Sequence, residues 1–281
     1  MAKEKPGQQR AGTSSPDGVS APAGTQAIGR ALAVLRLLTE ANGDLGILYI
    51  AQELGLKPGT AHRIVRALML EGYVAQNPAT DGYYLGSRAI LIGQSAQRAL
   101  GVDRALPLLE RLHQETEESV NLVVREGEES VVLMRVQSKL PLRFEQYPGA
   151  RFPLYSTASG KAMLSFSDDA DEYLRGLPEQ LDALTPNTLR TPDDLVRDLD
   201  AIRERGYSID DEENVAGVRC VGAPVFDIDG QAHAAVVIQV PTVRMPFERI
   251  HELGPRMIEL AKQVAHVVPP DHTVRRSLSQ R

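Results

Sequence analysis

Residues 48–86 read LYIAQELGLKPGTAHRIVRALMLEGYVAQNPATDGYYLG, the pattern of a helix, a tight turn, a second helix and a short hairpin. In the second helix Ala61, Ile64, Val65, Leu68 and Met69 recur at i, i+3, i+4, i+7 and i+8, which puts them on one buried stripe. The opposite face carries Thr60, His62, Arg63 and Arg66. Gly55 suits the left-handed conformation that ends the first helix, Leu56 fills the gap between the two helices, and Pro58 suits a first helical turn, where its missing N–H has no partner. A helix pair whose second member is polar and basic outward is the helix-turn-helix arrangement that places side chains in the major groove of duplex DNA. The hairpin, with one strand over 72–75, a turn over 77–82 and a return over 83–85, is then the wing.

On the N-terminal side, residues 1–25 are rich in Gly, Ser, Pro, Thr and Ala without an apolar period, the composition of a disordered leader. From Gln26, the residues Ile28, Ala31, Leu32, Leu35 and Leu38 mark a supporting helix that ends near Asn42-Gly43, so a winged helix-turn-helix unit is expected over 26–86. On the C-terminal side, 87–101 reads as a linker helix with Ile90, Leu91 and Ile92, and a helix over 102–117 follows. Strands are expected at 120–124, 131–136, 220–226 and 232–240, and helices from about Ala158, over 193–205 and over 247–268. This irregular mixture argues for an α+β sensor domain over 102–268 rather than an alternating parallel βαβ fold, and 269–281 reads as a polar, flexible tail.

The formal charge of −6 over 281 residues argues against DNA binding until it is divided along the chain. Residues 1–100 hold ten Lys and Arg against seven Asp and Glu, and the remainder holds 21 against 30. The positive charge therefore sits with the helix-turn-helix, and an acidic bulk repels DNA except where that module faces it, so two modules in a dimer are expected to share the grip. No run approaches the roughly 18 apolar residues that cross a bilayer, and the N-terminus lacks the apolar core of a signal peptide. The lone Cys220 cannot form an internal disulfide, which fits a reducing cytoplasm. The absence of tryptophan and 5% aromatic content leave the chain poorly equipped to stack on single strands.

Three segments, in this order and spacing, resemble the IclR-type bacterial transcriptional regulators: GLKPGTAHRIVRAL with EGYV and YYLG, then STASGKAML, then GYSIDDEENVAGVRCVGAPVFDIDG. The resemblance covers roughly residues 26–268, within the accuracy of boundaries read from sequence. It implies an N-terminal winged helix-turn-helix, a linker helix and a C-terminal GAF-like α+β domain that binds a small organic acid or related metabolite. It also implies operator DNA as a partner and a homodimer or dimer of dimers. Matched by position, Thr60, His62 and Arg63 fall on the recognition helix, and Ser159, Gly160, Asp210, Val218, Cys220, Val237 and Gln239 fall where the family lines its effector pocket. The sequence departs from the pattern at Tyr84, where the family often has a basic wing residue, and at Val237 and Gln239, where some members carry small hydroxyl residues. The latter points to a bulkier or less polar effector.

Each candidate residue also has a plainer reading. Arg63 and Arg66 alone would be a solvated helix face; with the turn, the wing and the charge segregation they become base or phosphate contacts, beside Lys57 and Thr60 as phosphate contacts and His62 as either. Ser159-Gly160-Lys161 at a helix start is either an anion cradle or an ordinary tight packing site, and Tyr155 five residues before Gly160 excludes a phosphate-binding loop of the G-x-x-x-x-G-K type. Of the acidic run 210–213, at most one carboxylate, Asp210, is expected to be buried, because burying several carries a large desolvation cost. Cys220 at the start of an apolar strand is expected to pack or line a pocket, and no Cys or His spacing suggests a metal or other cofactor. Two rival functions follow: an enzyme that turns over a small acid with Cys220, Asp210 and a distant histidine, or a constitutive DNA-binding protein whose C-terminal domain only dimerises.

Overall fold

The computed structural model describes residues 25–41 and 43–268. The expected leader, apart from Thr25, and the expected tail lie outside those residues. The N-terminal unit contains α1 (Gln26–Glu40), α2 (Ile47–Glu53), α3 (Pro58–Leu70) and an antiparallel hairpin of β1 (Val74–Gln76) and β2 (Tyr83–Leu85). Gly55 has φ +59° and closes α2, and Pro58 opens α3. Val34, Leu38, Ile50, Val65, Val74 and Tyr83 form the core of the unit. One detail differs from the expected stripe on α1: Ile28 and Leu32 are 60% and 55% exposed, while Val34 and Leu38 are buried. The helix has more apolar positions than one face can hold, and its C-terminal half is the part that reaches the core.

After α4 (Ser87–Ala99) and α5 (Val102–Thr116) the chain builds a six-stranded antiparallel sheet. Its strands are β3 (Ser119–Glu126), β4 (Glu129–Val136), β5 (Arg151–Pro153), β6 (Ser208–Asp211), β7 (Val218–Phe226) and β8 (Ala232–Pro241), in the order β5-β4-β3-β8-β7-β6. The helices are α6 (Ala158–Leu164), α7 (Ala170–Gly176), α8 (Pro192–Arg205) and α9 (Phe247–Val267). Strand alternation divides the sheet between two cores. Val221, Ala223, Val236, Ile238 and Val240 pack with Leu109 of α5 and Ile250, Met257 and Val264 of α9. Val218, Cys220, Ala235 and Val237, on the other face, pack with Ala162, Met163 and Leu164 of α6 and with Leu195, Leu199 and Ile202 of α8. The central strands are thus apolar on both sides, which requires helical layers above and below.

The structure adds β5, α7 and β6 to the expected elements; β6 includes Asp210 and Asp211, so half of the acidic run 210–213 is strand. Among the described residues no helix is long and apolar enough to cross a membrane.

Candidate functional sites

The first site is the outer face of α3. Lys57, His62, Arg63 and Arg66 are exposed and Thr60 is half-buried, while Ala61 and Val65 on the inner face are fully buried. Among the described residues none of Lys57, Arg63 and Arg66 enters an ion pair, so two cations stand in water on the outer face of α3 and a third at its N-cap. The neighbouring wing is held by a residue that sequence reading passed over. The Asp44 carboxylate accepts from Thr80 Oγ1 at 2.5 Å and from Asn77 Nδ2 at 2.6 Å, and these two bonds, Thr80's the stronger, lower its pKa. Gly82 is required beside it, since a Cβ there would stand 2.6 Å from Asp44 Cγ. Tyr84, opposite Ala75 in the hairpin, projects outward at 44% exposure.

The second site is a narrow, partly open cleft between the inner face of the sheet and the start of α6, with a cavity volume of about 30 Å³. Five of the seven residues expected there meet in it: Ser159 from α6, Asp210 from β6, Cys220 from β7, and Val237 and Gln239 from β8. The cross-strand register explains the convergence, because Asp210 faces Cys220 and Cys220 faces Gln239 in adjacent strands. The other two lie outside the lining. Val218 is buried in the core beside the cleft. Gly160 is a packing residue: a Cβ there would stand 2.2 Å from the Leu154 carbonyl oxygen, and its N–H is already donated to the capping Thr157 Oγ1 at 3.0 Å. The residues 159–161 therefore do not offer that donor to an anion. The wall also includes Thr157 and Asn214, which lie within the STASGKAML and GYSIDDEENVAGVRCVGAPVFDIDG segments, and Asn121 and Gln146, which had no local signal. They reach the cleft by sheet register and by a loop, which sequence periodicity does not encode.

Behind the cleft lies a buried ion cluster. Lys161 Nζ, 1% exposed, donates to Glu213 Oε1 at 2.6 Å and stands 2.7 Å from Asp198 Oδ2 on α8. Burial disfavours its charge, but Glu213 and Asp198 outweigh that and raise its pKa. This corrects the expectation for the acidic run: Asp210 and Glu213 are both buried, because Lys161 supplies the counter-charge. Asp210 Oδ1 accepts the N–H groups of Glu213 at 2.7 Å and Asn214 at 3.3 Å. Burial, reinforced by Glu213, nevertheless pushes the Asp210 carboxyl up to about 7. Burial first and the Asp210 charge second raise the Cys220 thiol well above its ordinary value. Among the described residues no group of three or more His, Cys, Asp or Glu is arranged to hold a metal ion.

A basic recognition helix with a wing, joined to a two-faced α+β domain with an internal polar cleft, defines a DNA-binding regulator that responds to a ligand. The IclR helix-turn-helix domain matches residues 27–78, and the bacterial transcriptional regulator IclR C-terminal domain matches residues 96–266. The chain belongs to the IclR family of transcriptional regulators. It is 34% identical over 248 residues to the HTH-type transcriptional regulator BhcR of Paracoccus denitrificans, covering 88% of each chain. The crystal structure of the IclR protein of Thermotoga maritima is similar with a TM-score of 0.69 and 30% identity, over 85% of this chain and 97% of that one. An IclR homologue from Microbacterium hydrocarbonoxydans, solved with 4-hydroxybenzoate, shares the fold with a TM-score of 0.75 at 22% identity, over 85% of this chain and 99% of that one.

Proposed function

We propose that this regulator binds operator DNA through Lys57, Thr60, His62, Arg63 and Arg66, and that a small organic acid in the cleft changes how two copies present those helices. The observation that carries the reading is the pairing of three cations, Arg63 and Arg66 on α3 and Lys57 at its N-cap, none in an ion pair among the described residues, with a cleft in the C-terminal domain. Arg63 and Arg66 reach base edges or phosphates, and Lys57 and Thr60 touch phosphate. In the cleft Ser159, Asp210, Cys220, Val237 and Gln239 contact the effector, while Gly160 and Val218 shape the wall from behind. The bound acid of the Microbacterium homologue supports that effector class.

The units taken to move are the winged module over 26–86, the linker over 87–101 and the effector domain over 102–268. The linker helix α4 has no buried residue, and Ile90, Leu91 and Ile92 are more than half exposed, an apolar surface suited to a second copy in a dimer or dimer of dimers. Spacing between paired recognition helices then follows the effector-dependent conformation, and a coupling of roughly 1–3 kcal/mol is enough for a switch. The enzyme alternative is disfavoured by Cys220, whose raised pKa is the reverse of nucleophile activation. A reducing cytoplasm suits the same free thiol.

Operator binding tests the reading. The full chain should bind its own upstream region more tightly than random duplex at physiological salt, and Arg63→Ala should weaken that binding by roughly 1–3 kcal/mol. Equal affinity for both duplexes, measured by fluorescence anisotropy, overturns it. Operator affinity that no small acid alters favours the purely dimerising alternative.

A further inference from the structure

An acid effector meets a difficulty in this cleft, because the Asp210 carboxyl lines it. The opposite part of the wall answers the difficulty. Arg135, in β4, pairs across the sheet with Asn121 of β3 and stands behind the lining rather than in it. Its Nη1 donates to Asn121 Oδ1 at 2.9 Å, Gln146 Oε1 at 3.1 Å and Gln239 Oε1 at 2.8 Å, its Nη2 to the Phe144 carbonyl at 2.7 Å, and its Nε to Gln137. Every one of these acceptors is neutral. Among the described residues no carboxylate pairs with this guanidinium, and the nearby Glu145 is taken by Arg143 at 2.7 Å. By contrast Arg219 pairs with Asp211 at 2.6 Å and Arg244 with Glu118 at 2.8 Å. Burial lowers the Arg135 pKa to about 10, which leaves it charged at neutral pH.

A guanidinium can only donate. Asn121, Gln146 and Gln239 must therefore turn their amide oxygens toward Arg135, which turns their NH₂ groups away from it. All three side chains are cleft wall, and among the described residues Asn121 Nδ2 and Gln146 Nε2 donate to no protein acceptor, while the Gln239 amide reaches Cys220. The wall thus presents N–H donors backed by a cation without a carboxylate partner. Asp210 sits in β6, three strands from Asn121 in the sheet order, at the far side.

Building on the effector reading above, we infer that Arg135 makes the cleft selective for a carboxylate, which seats on the amide N–H groups of Asn121 and Gln146 away from Asp210. Arg135 is a positioning residue: it orients the amides and supplies the uncompensated charge without touching the ligand. The Asp210 side is left to a hydroxyl of the same molecule.

Calorimetric titration of the full chain with a panel of small carboxylates, led by 4-hydroxybenzoate and pyruvate, each beside its neutral amide, tests this. Wild type should bind an acid at least about tenfold more tightly than its amide. Arg135→Met should weaken the acid by about tenfold or more and leave the amide within about twofold, and Arg135→Lys should restore part of the preference. An unchanged acid preference in Arg135→Met, or equal weakening of acid and amide, overturns the inference while leaving the effector reading standing. If wild type binds no member of the panel, the effector reading falls and this inference with it. Should Arg135→Met fail to fold, the crystal structure of the wild-type complex decides: carboxylate oxygens at hydrogen-bond distance from Asn121 or Gln146 support the inference, and a carboxylate seated on Asp210 overturns it.

Discussion

The α3 face and the cleft of the C-terminal domain are both defined by charge, yet they hold it in opposite ways. The cations Arg63 and Arg66 on α3 and Lys57 at its N-cap stand in water without ion-pair partners among the described residues, cost little to keep, and are free to meet a polyanion. Around the cleft the charges are inside the protein, where each needs partners: Lys161 has Glu213 and Asp198, Asp210 retains a proton to about pH 7, and Arg135 is held by neutral oxygens alone. A surface site can therefore be built from one element, whereas the buried one needs α6, α8, β6 and the loop after it to agree. Substitutions at the two sites should separate accordingly, affecting affinity alone at α3 and stability as well at the cleft.

The largest effect expected from that contrast is at Lys161. Among the described residues, Lys161→Met removes the only ion-pair partner of Glu213 and one of the two of Asp198, and should cost about 3–5 kcal/mol in the urea unfolding of the full chain. Adding Glu213→Gln should recover part of the loss, since it removes the stranded charge. A change within about 0.5 kcal/mol, the range of surface substitutions, would show that the cluster is not balanced in the way its geometry indicates.

Next in size is a pH effect at Asp210. Its folded pKa of about 7 exceeds the ordinary value of 3.8, so between those values the folded state holds a proton that the unfolded state has lost. Wild type accordingly loses stability as pH rises through that window, and the loss is complete above about pH 7. Asp210→Asn does not titrate and keeps an oxygen to accept the Glu213 and Asn214 N–H groups. Its stability relative to wild type should be greater at pH 8 than at pH 5 by about 2 kcal/mol. A difference independent of pH means that Asp210 is ionised throughout the folded protein's range.

The same contrast explains what the sequence revealed. The α3 stripe is a local pattern that the periodicity of about 3.6 residues carries directly, and the Gly55 turn and the opening Pro58 follow from the backbone preferences of those two residues. On α1 that periodicity pointed to Ile28 and Leu32, which are exposed, because two apolar faces competed and only tertiary packing chose between them. In the sheet, runs such as 218–226 are buried on both faces, so alternation could locate a strand but not its register or its neighbours. The resemblance placed Asp210, Cys220 and Gln239, whereas Asn121 and Gln146 enter the cleft from strand β3 and a loop that no motif marks. The burial of Glu213 turns on Lys161, 52 residues earlier, a pairing without a local signature.

The smallest effect lies at the wing, where this chain departs from the pattern of its family. Tyr84 occupies the position at which a basic residue is often found, and it points outward from β2. If the wing approaches DNA as α3 does, Tyr84→Lys adds one cation beside the backbone without disturbing the core, because Tyr83 rather than Tyr84 is the buried member of the pair. Operator affinity should rise by less than about 1 kcal/mol at physiological salt, and the slope of log affinity against log salt should steepen by about 0.9, the release of one counterion. Random duplex should gain as much as operator, since a phosphate contact carries no base information. Tyr84→Gln separates loss of the ring from gain of charge: it should leave the slope unchanged. A slope for Tyr84→Lys equal to that of wild type would place the wing away from the phosphates.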